Sequence, residues 1–138
     1  MILGVGTDLV AIDRIAQAMR RFPDRFMERV LTPAEIRWCM GRQAMTAACC
    51  AKRFAAKEAL VKALGTGMRG GIWFTEMELD NDPLGRPSMT LHGAAARRAE
   101  ELAAIHGMEE VVIHLSLADE GGFALAHVVL EGRLSTIL

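Results

Sequence analysis

The sequence predicts an α+β domain in which antiparallel strands pack on one long central helix. Two observations carry this. The segment from about Met45 to Leu64 is Ala-rich and apolar on most sides, the pattern of a helix with little solvent face. Val111 to Ala118 and Phe123 to Leu130 read as strands joined by Asp119-Glu120-Gly121-Gly122, a hairpin signal. Together they give a mixed architecture built around one buried helix.

The remaining elements follow in order. Ile2 to about Leu9 is a strand whose alternation places Ile2, Gly4, Gly6 and Asp8 on one face. A helix runs from about Ile12 to Arg20, and Pro23 opens another that reaches about Val30. Thr32-Pro33-Ala34-Glu35 is a capping box with proline at the first helical position, so a helix starts there. Gly65 stops the central helix, and a glycine-rich loop continues to Gly71. Ile72 to Leu79 is expected to be a strand. Asn81-Asp82-Pro83-Leu84-Gly85-Arg86-Pro87 is a turn, followed by a short strand from Ser88 to Leu91. Gly93 to His106 is a helix ended by Gly107, and Glu131 to Leu138 is expected to be a loosely held tail.

At 138 residues the chain is one domain, 1–138. An apolar fraction of 51%, a charged fraction of 24% and a mean hydropathy of +0.21 exclude disorder. The longest apolar runs fall far short of a membrane span. Asp8 interrupts the first apolar segment, so no signal peptide is expected. Three cysteines (Cys39, Cys49, Cys50) without a C-x-x-C pair argue against disulfides and for the reducing cytoplasm. Charge is unevenly spread, +6 over residues 1–71 and −7 over 72–138, which suits an anionic partner or self-assembly. Scarce aromatics, 5% with no tyrosine, argue against a nucleic-acid stacking platform.

Four places hold candidate chemistry, each with an ordinary alternative. Asp8 follows two glycines on its strand face, so it is a hard-cation ligand or a cap for the next segment. Glu58 and Lys62 are one helical turn apart on a stripe shared with Ala51, Phe54 and Ala55. They are a buried site or a plain i,i+4 ion pair. Gly65-Thr66-Gly67-Met68-Arg69-Gly70-Gly71 is a phosphate cradle or a helix C-cap with a connector. Arg14, Arg20, Arg21, Arg25 and Arg29 form a docking surface or a solvated face. The histidines lack zinc spacing, and no Walker A, dinucleotide or G-x-S-x-G motif is present. Cys49 and Cys50 read as core filler.

Two of these segments share a known pattern. Gly4-Val5-Gly6-Thr7-Asp8-Leu9-Val10 with Arg14-Ile15 resembles the opening motif of holo-[acyl-carrier-protein] synthases. Arg53-Phe54-Ala55-Ala56-Lys57-Glu58-Ala59, then Lys62-Ala63 and Gly65-Thr66-Gly67, resembles their second motif, F-x-x-K-E-A-x-x-K-A-x-G-x-G. The resemblance covers nearly the whole chain. It implies a single domain of the 4′-phosphopantetheinyl transferase type, acting in fatty acid biosynthesis. Such an enzyme moves the phosphopantetheine arm of coenzyme A to a serine of apo acyl carrier protein, with Mg²⁺, and releases adenosine 3′,5′-bisphosphate. The resemblance makes Asp8 and Glu58 the metal ligands and gives Lys62 a phosphate contact and a part in removing the serine proton. It lays Arg53 and Gly65-Thr66-Gly67 along the coenzyme A site. It turns Arg14, Arg21 and Arg25 to the acidic carrier, and implies a homotrimer with sites between subunits. In the late hairpin many relatives carry Ser-His where this chain has Ala118-Asp119. The competing classes are a non-catalytic module that docks an acidic protein, and another diphosphate-cleaving enzyme using the same metal site.

Overall fold

The computed structural model describes residues 1–135. In chain order its elements are β1 (Ile2–Ala11), α1 (Ile12–Arg21), α2 (Pro23–Val30), α3 (Pro33–Met40), α4 (Thr46–Ala63), β2 (Met77–Asn81), β3 (Pro87–Leu91), α5 (Gly93–Ile105), β4 (Glu110–Glu120) and β5 (Phe123–Arg133). One antiparallel sheet has the order β1-β5-β4, and β2-β3 form a second, two-stranded sheet. The predicted α+β class, central helix and late hairpin are all present.

Helix α4 lies across one face of the three-stranded sheet. Ala55, Ala56, Ala59, Leu60 and Val61 are fully buried, which is why this segment is apolar on most sides. Ala124, Ala126, Val128 and Leu130 of β5 meet it from the sheet, alternating with residues that face outward. On β1 the contact is closer still. A Cβ at Gly6 would collide with the carbonyl oxygen of Ala59, and one at Gly4 with that of Ala63. The space left by the two glycines is therefore filled by the backbone of α4.

A buried ionic cluster ties α4 to the small sheet. Thr32 and Glu35 form the predicted capping box at the start of α3. Glu35 does more than cap. Its Oε1 accepts from Lys57 Nζ at 2.6 Å, and its Oε2 accepts from the Leu79 backbone N–H at 3.1 Å. Lys57 Nζ also donates to the Val30 carbonyl at 2.6 Å. Glu35 and Lys57 are almost wholly buried, so each charge depends on the other. Burial holds the Lys57 ammonium below its usual range, and Glu35 opposes that shift.

Several expectations change. The strand expected over Ile72 to Leu79 begins only at Met77, after a 3₁₀ turn at Phe74–Glu76. The Glu76 carboxylate accepts from the N–H groups of Trp73 and Ala94, so a side chain replaces the strand ladder there. The hairpin loop is only Gly121-Gly122, both at positive φ, so Asp119 and Glu120 belong to β4. Glu131–Arg133 extend β5 rather than joining a loose tail, because they pair with residues 110–112 of β4. Residues 136–138 of that expected tail lie outside the described residues. Cys39 and Cys49 form a disulfide, contrary to the reading of the cysteines. The turn between α3 and α4 brings their Cα atoms within 5.4 Å, which sequence spacing does not reveal. Cys50 alone is free and buried, and burial pushes its thiol up to about 11.

Gly6→Ala should lower unfolding stability by about 1–3 kcal/mol, because the added methyl must force α4 away from β1. Urea unfolding followed by circular dichroism measures this. An unchanged midpoint would show that the helix is not held at contact distance.

Candidate functional site

Asp8 lies within β1 rather than at its end, and the N-cap of α1 is Ala11 with no side-chain cap. The capping reading of Asp8 therefore fails. Its carboxylate is aimed at α4, where the two glycines before it let the helix approach. Glu58 and Lys62 stand one turn apart on that helix. Lys62 Nζ donates to Asp8 Oδ1 and to the Thr7 carbonyl, each at 3.0 Å. Among the described residues Glu58 and Lys62 form no ion pair, so the i,i+4 reading fails as well. The lysine crosses to the strand.

Glu58 is half-buried. Its carboxyl is raised above the usual range, first by burial and next by the Asp8 charge, while Lys62 and Arg14 oppose the rise. Two carboxylates thus converge from distant segments, with one ammonium beside them and Arg14 of α1 close by. Among the described residues there is no cluster of three or more His, Cys, Asp or Glu, so any cation here would complete its shell with ligand oxygens and water.

The loop after α4 behaves as a C-cap. The N–H of Gly65 donates to the Lys62 carbonyl, and those of Thr66 and Gly67 donate to the Val61 carbonyl. Gly65 and Gly67 have φ of 81° and 58°, a conformation that glycine adopts without strain. These three N–H groups are spent on the helix and are not directed at a phosphate. The Thr66 hydroxyl donates to the Gly67 carbonyl.

Arg53 lies elsewhere. Five residues from Glu58, it projects about 140° around the helix, towards the opposite flank. There it lines a cavity of about 580 Å³ together with Trp38, Arg42, Lys52, Asn81 and Leu117. Its Nη2 donates to Asn81 Oδ1 at 2.9 Å, and its Nε lies 3.7 Å from Glu35 Oε2. The Arg42 guanidinium sits 3.6 Å from the centre of the Trp38 ring. Sequence reasoning missed Trp38, Arg42 and Lys52. Trp38 and Arg42 are one turn apart, and Lys52 is next to the motif arginine, but only the fold faces them towards one cavity. Asp8 pairs with Ala126, which pairs with Leu117, so the cavity is two strand spacings, about 10 Å, from the carboxylate site. Helix α4 stands between the two.

Arg14, Arg20, Arg21, Arg25 and Arg29 are all exposed on α1 and α2. Among the described residues none of them forms an ion pair. The outer face of the sheet is also exposed and apolar: Val5, Leu9, Phe123 and Leu125 are each 40–60% exposed. At its centre Thr7 Oγ1 and His127 Nδ1 are hydrogen-bonded at 2.7 Å.

Comparison with known proteins gives a consistent result. A profile of the 4′-phosphopantetheinyl transferase superfamily matches residues 4–118. The holo-[acyl-carrier-protein] synthase of Magnetococcus marinus is 49% identical over 133 residues, covering 95% of this chain and 94% of the relative. That of Koribacter versatilis is 47% identical over 131 residues, covering 95% and 99%. The fold superposes on the crystal structure of the Neisseria meningitidis synthase with a TM-score of 0.80, at 39% identity and 95% and 99% coverage. The Bacillus anthracis synthase in complex with CoA (3',5'-ADP) gives a TM-score of 0.77, at 34% identity and 96% and 99% coverage.

Proposed function

The chain belongs to the holo-[acyl-carrier-protein] synthases of the 4′-phosphopantetheinyl transferase superfamily, and from that premise we propose that it transfers 4′-phosphopantetheine from coenzyme A to a serine of apo acyl carrier protein. The second product is adenosine 3′,5′-bisphosphate. The observation that carries this reading is the meeting of Asp8, Glu58 and Lys62 across β1 and α4.

The pair of carboxylates suits Mg²⁺, which takes one or two carboxylates with phosphate oxygens and water. The charge of Asp8 already presses on Glu58, so a divalent cation would relieve that repulsion. Bound there, Mg²⁺ would neutralise charge developing on the diphosphate as the bridging oxygen leaves. Lys62 is set up to donate. Two of its three N–H groups go to Asp8 and Thr7, and the third is left for a phosphoryl oxygen. Arg53 and the cavity around it take the nucleotide end of coenzyme A. Gly65, Thr66 and Gly67 shape the donor's path without giving it N–H donors.

The carboxylate site and the Arg53 cavity lie on opposite flanks of α4. This supports a site shared between subunits, with the diphosphate on one chain and the nucleotide on its neighbour. The exposed apolar sheet face supplies the contact for a homotrimer, since soluble surfaces rarely leave such a patch uncovered. Arg14, Arg21 and Arg25, exposed and unpaired among the described residues, meet the acidic carrier. Among the described residues no helix is long and apolar enough to cross a membrane.

The primary test is the intact mass of apo acyl carrier protein after incubation with this protein, coenzyme A and Mg²⁺. A gain of one phosphopantetheine arm, abolished by EDTA and by Glu58→Gln, is expected. No gain with a carrier that another transferase accepts would favour a non-catalytic docking module. Arg14→Ala should raise KM for the carrier about threefold to tenfold without altering coenzyme A affinity, the scale of one charged contact. An unchanged carrier KM would remove Arg14 from the docking surface. Leu125→Asp should convert the assembly to monomers in sedimentation equilibrium, and a variant that still sediments as a trimer would place the interface elsewhere.

A further inference from the structure

Residues 41–45, between α3 and α4, are exposed and belong to one wall of the cavity beside α4. Trp38, Arg42, Met45, Ala48 and Cys49 of that cavity come from this segment or from the helix ends that flank it. Among the described residues its hydrogen bonds reach no further than those ends. The N–H groups of Gly41, Arg42 and Met45 donate to the carbonyls of Arg37, Cys39 and Arg42. The Thr46 hydroxyl donates to those of Cys39 and Gln43. Gln43 has a φ of 53°, which a residue with a side chain keeps only where its surroundings hold it. The covalent tie across the segment is the Cys39–Cys49 disulfide.

The two sulfurs differ in access. Cys39 is fully buried, whereas Cys49 is 7% exposed and lines the cavity. Cys49 Sγ also accepts from Arg53 Nη1 at 3.6 Å, so a thiolate there has a cation beside it. Cys50 is a bystander: its thiol is pushed up to about 11 by burial, and it offers no thiolate to scramble the pair.

We propose that Cys39–Cys49 is a reversible thiol–disulfide site, opened from the cavity by a dithiol, and that its state sets how firmly the cavity wall is held. A thiolate of the dithiol attacks Cys49 Sγ. The S–S bond breaks and its electron pair leaves on the Cys39 sulfur, which takes a proton, while a mixed disulfide joins Cys49 to the reductant. The reductant's second thiolate attacks its own sulfur in that bond, and Cys49 leaves as a thiolate beside Arg53. The protein gains two electrons and two protons, the second when the Cys49 thiolate is protonated, and the dithiol ends as a cyclic disulfide. A disulfide of that class reverses the exchange. With the bridge closed, Trp38 and Arg42 are preorganised; with it open, a ligand must immobilise them on binding. Resting on the reading above, that ligand is the nucleotide end of the donor, so reduction weakens the donor without touching Asp8, Glu58 or Lys62.

The test compares the oxidised protein with the same protein reduced by dithiothreitol in the folded state and freed of reductant under argon. Alkylation in denaturant and intact mass should count one thiol before reduction, Cys50, and three after. Calorimetry with adenosine 3′,5′-bisphosphate, which carries no thiol of its own, should show about threefold to tenfold weaker binding after reduction, the scale of one or two side chains that must be ordered. Hydrogen exchange at the Arg42 and Met45 amides should quicken on reduction. Cys49→Ser should behave as the reduced protein and ignore dithiothreitol, while Cys50→Ser keeps the full response. A bridge that dithiothreitol leaves closed in the folded protein overturns the proposal, and so does equal bisphosphate affinity or equal exchange in the two states. Absence of bisphosphate binding in both states, with exchange that still quickens on reduction, counts against the transferase reading and supports the thiol site.

Discussion

The contact between the backbone of α4 and β1 is the constraint on which the site depends. Side chains at positions 4 and 6 would hold helix and strand apart, and their absence lets the carbonyls of Ala59 and Ala63 rest against the strand. Asp8 is the next residue on that face. It emerges where the helix begins to leave room, and Glu58 and Lys62 are the α4 residues that reach it. The geometry of the carboxylate pair is a by-product of how closely two backbones pack.

The same helix is fixed on its other side by ionic contacts. Lys57 is joined to Glu35, and through it to β2, while Arg53 joins α4 to Asn81 at the end of β2. Breaking one member of such a buried pair typically costs about 3–5 kcal/mol, far more than a surface pair is worth. Neighbouring residues of one motif therefore divide the labour. Lys57 and Arg53 hold the helix in place, while Lys62 reaches β1 and Glu58 lies half-buried beside Asp8.

What could be read in the sequence was what local rules govern. The capping box at Thr32 and Glu35, the mostly apolar pattern of α4 and the existence of the late hairpin each follow from residues close together in the chain. What escaped the sequence depended on distant partners. The spacing of Glu58 and Lys62 suggested a pair with each other, but a strand 54 residues away offered Lys62 a carboxylate and a carbonyl. The residues after Ile72 have strand-forming composition, yet Glu76 captures two N–H groups, one from the start of α5. The Cys39–Cys49 disulfide depends on how tightly α3 turns into α4. Two glycines on one strand face permit a close approach, and the fold shows that the backbone of α4 is what approaches. The resemblance of two motifs brings Asp8, Glu58 and Lys62 to one metal and phosphate site, but it does not show that Arg53 stands on the opposite flank of α4.

Packing of α4 on β1 would make a divalent-cation site of Asp8 and Glu58. The most direct measurement is a calorimetric titration of Mg²⁺ in the presence of coenzyme A, on wild type and on folded Gly6→Ala. One ion per chain is expected in wild type and at least about tenfold weaker binding in the variant, since a small misplacement of one ligand is costly to a cation that demands near-ideal geometry. Equal affinity in the two proteins would contradict it.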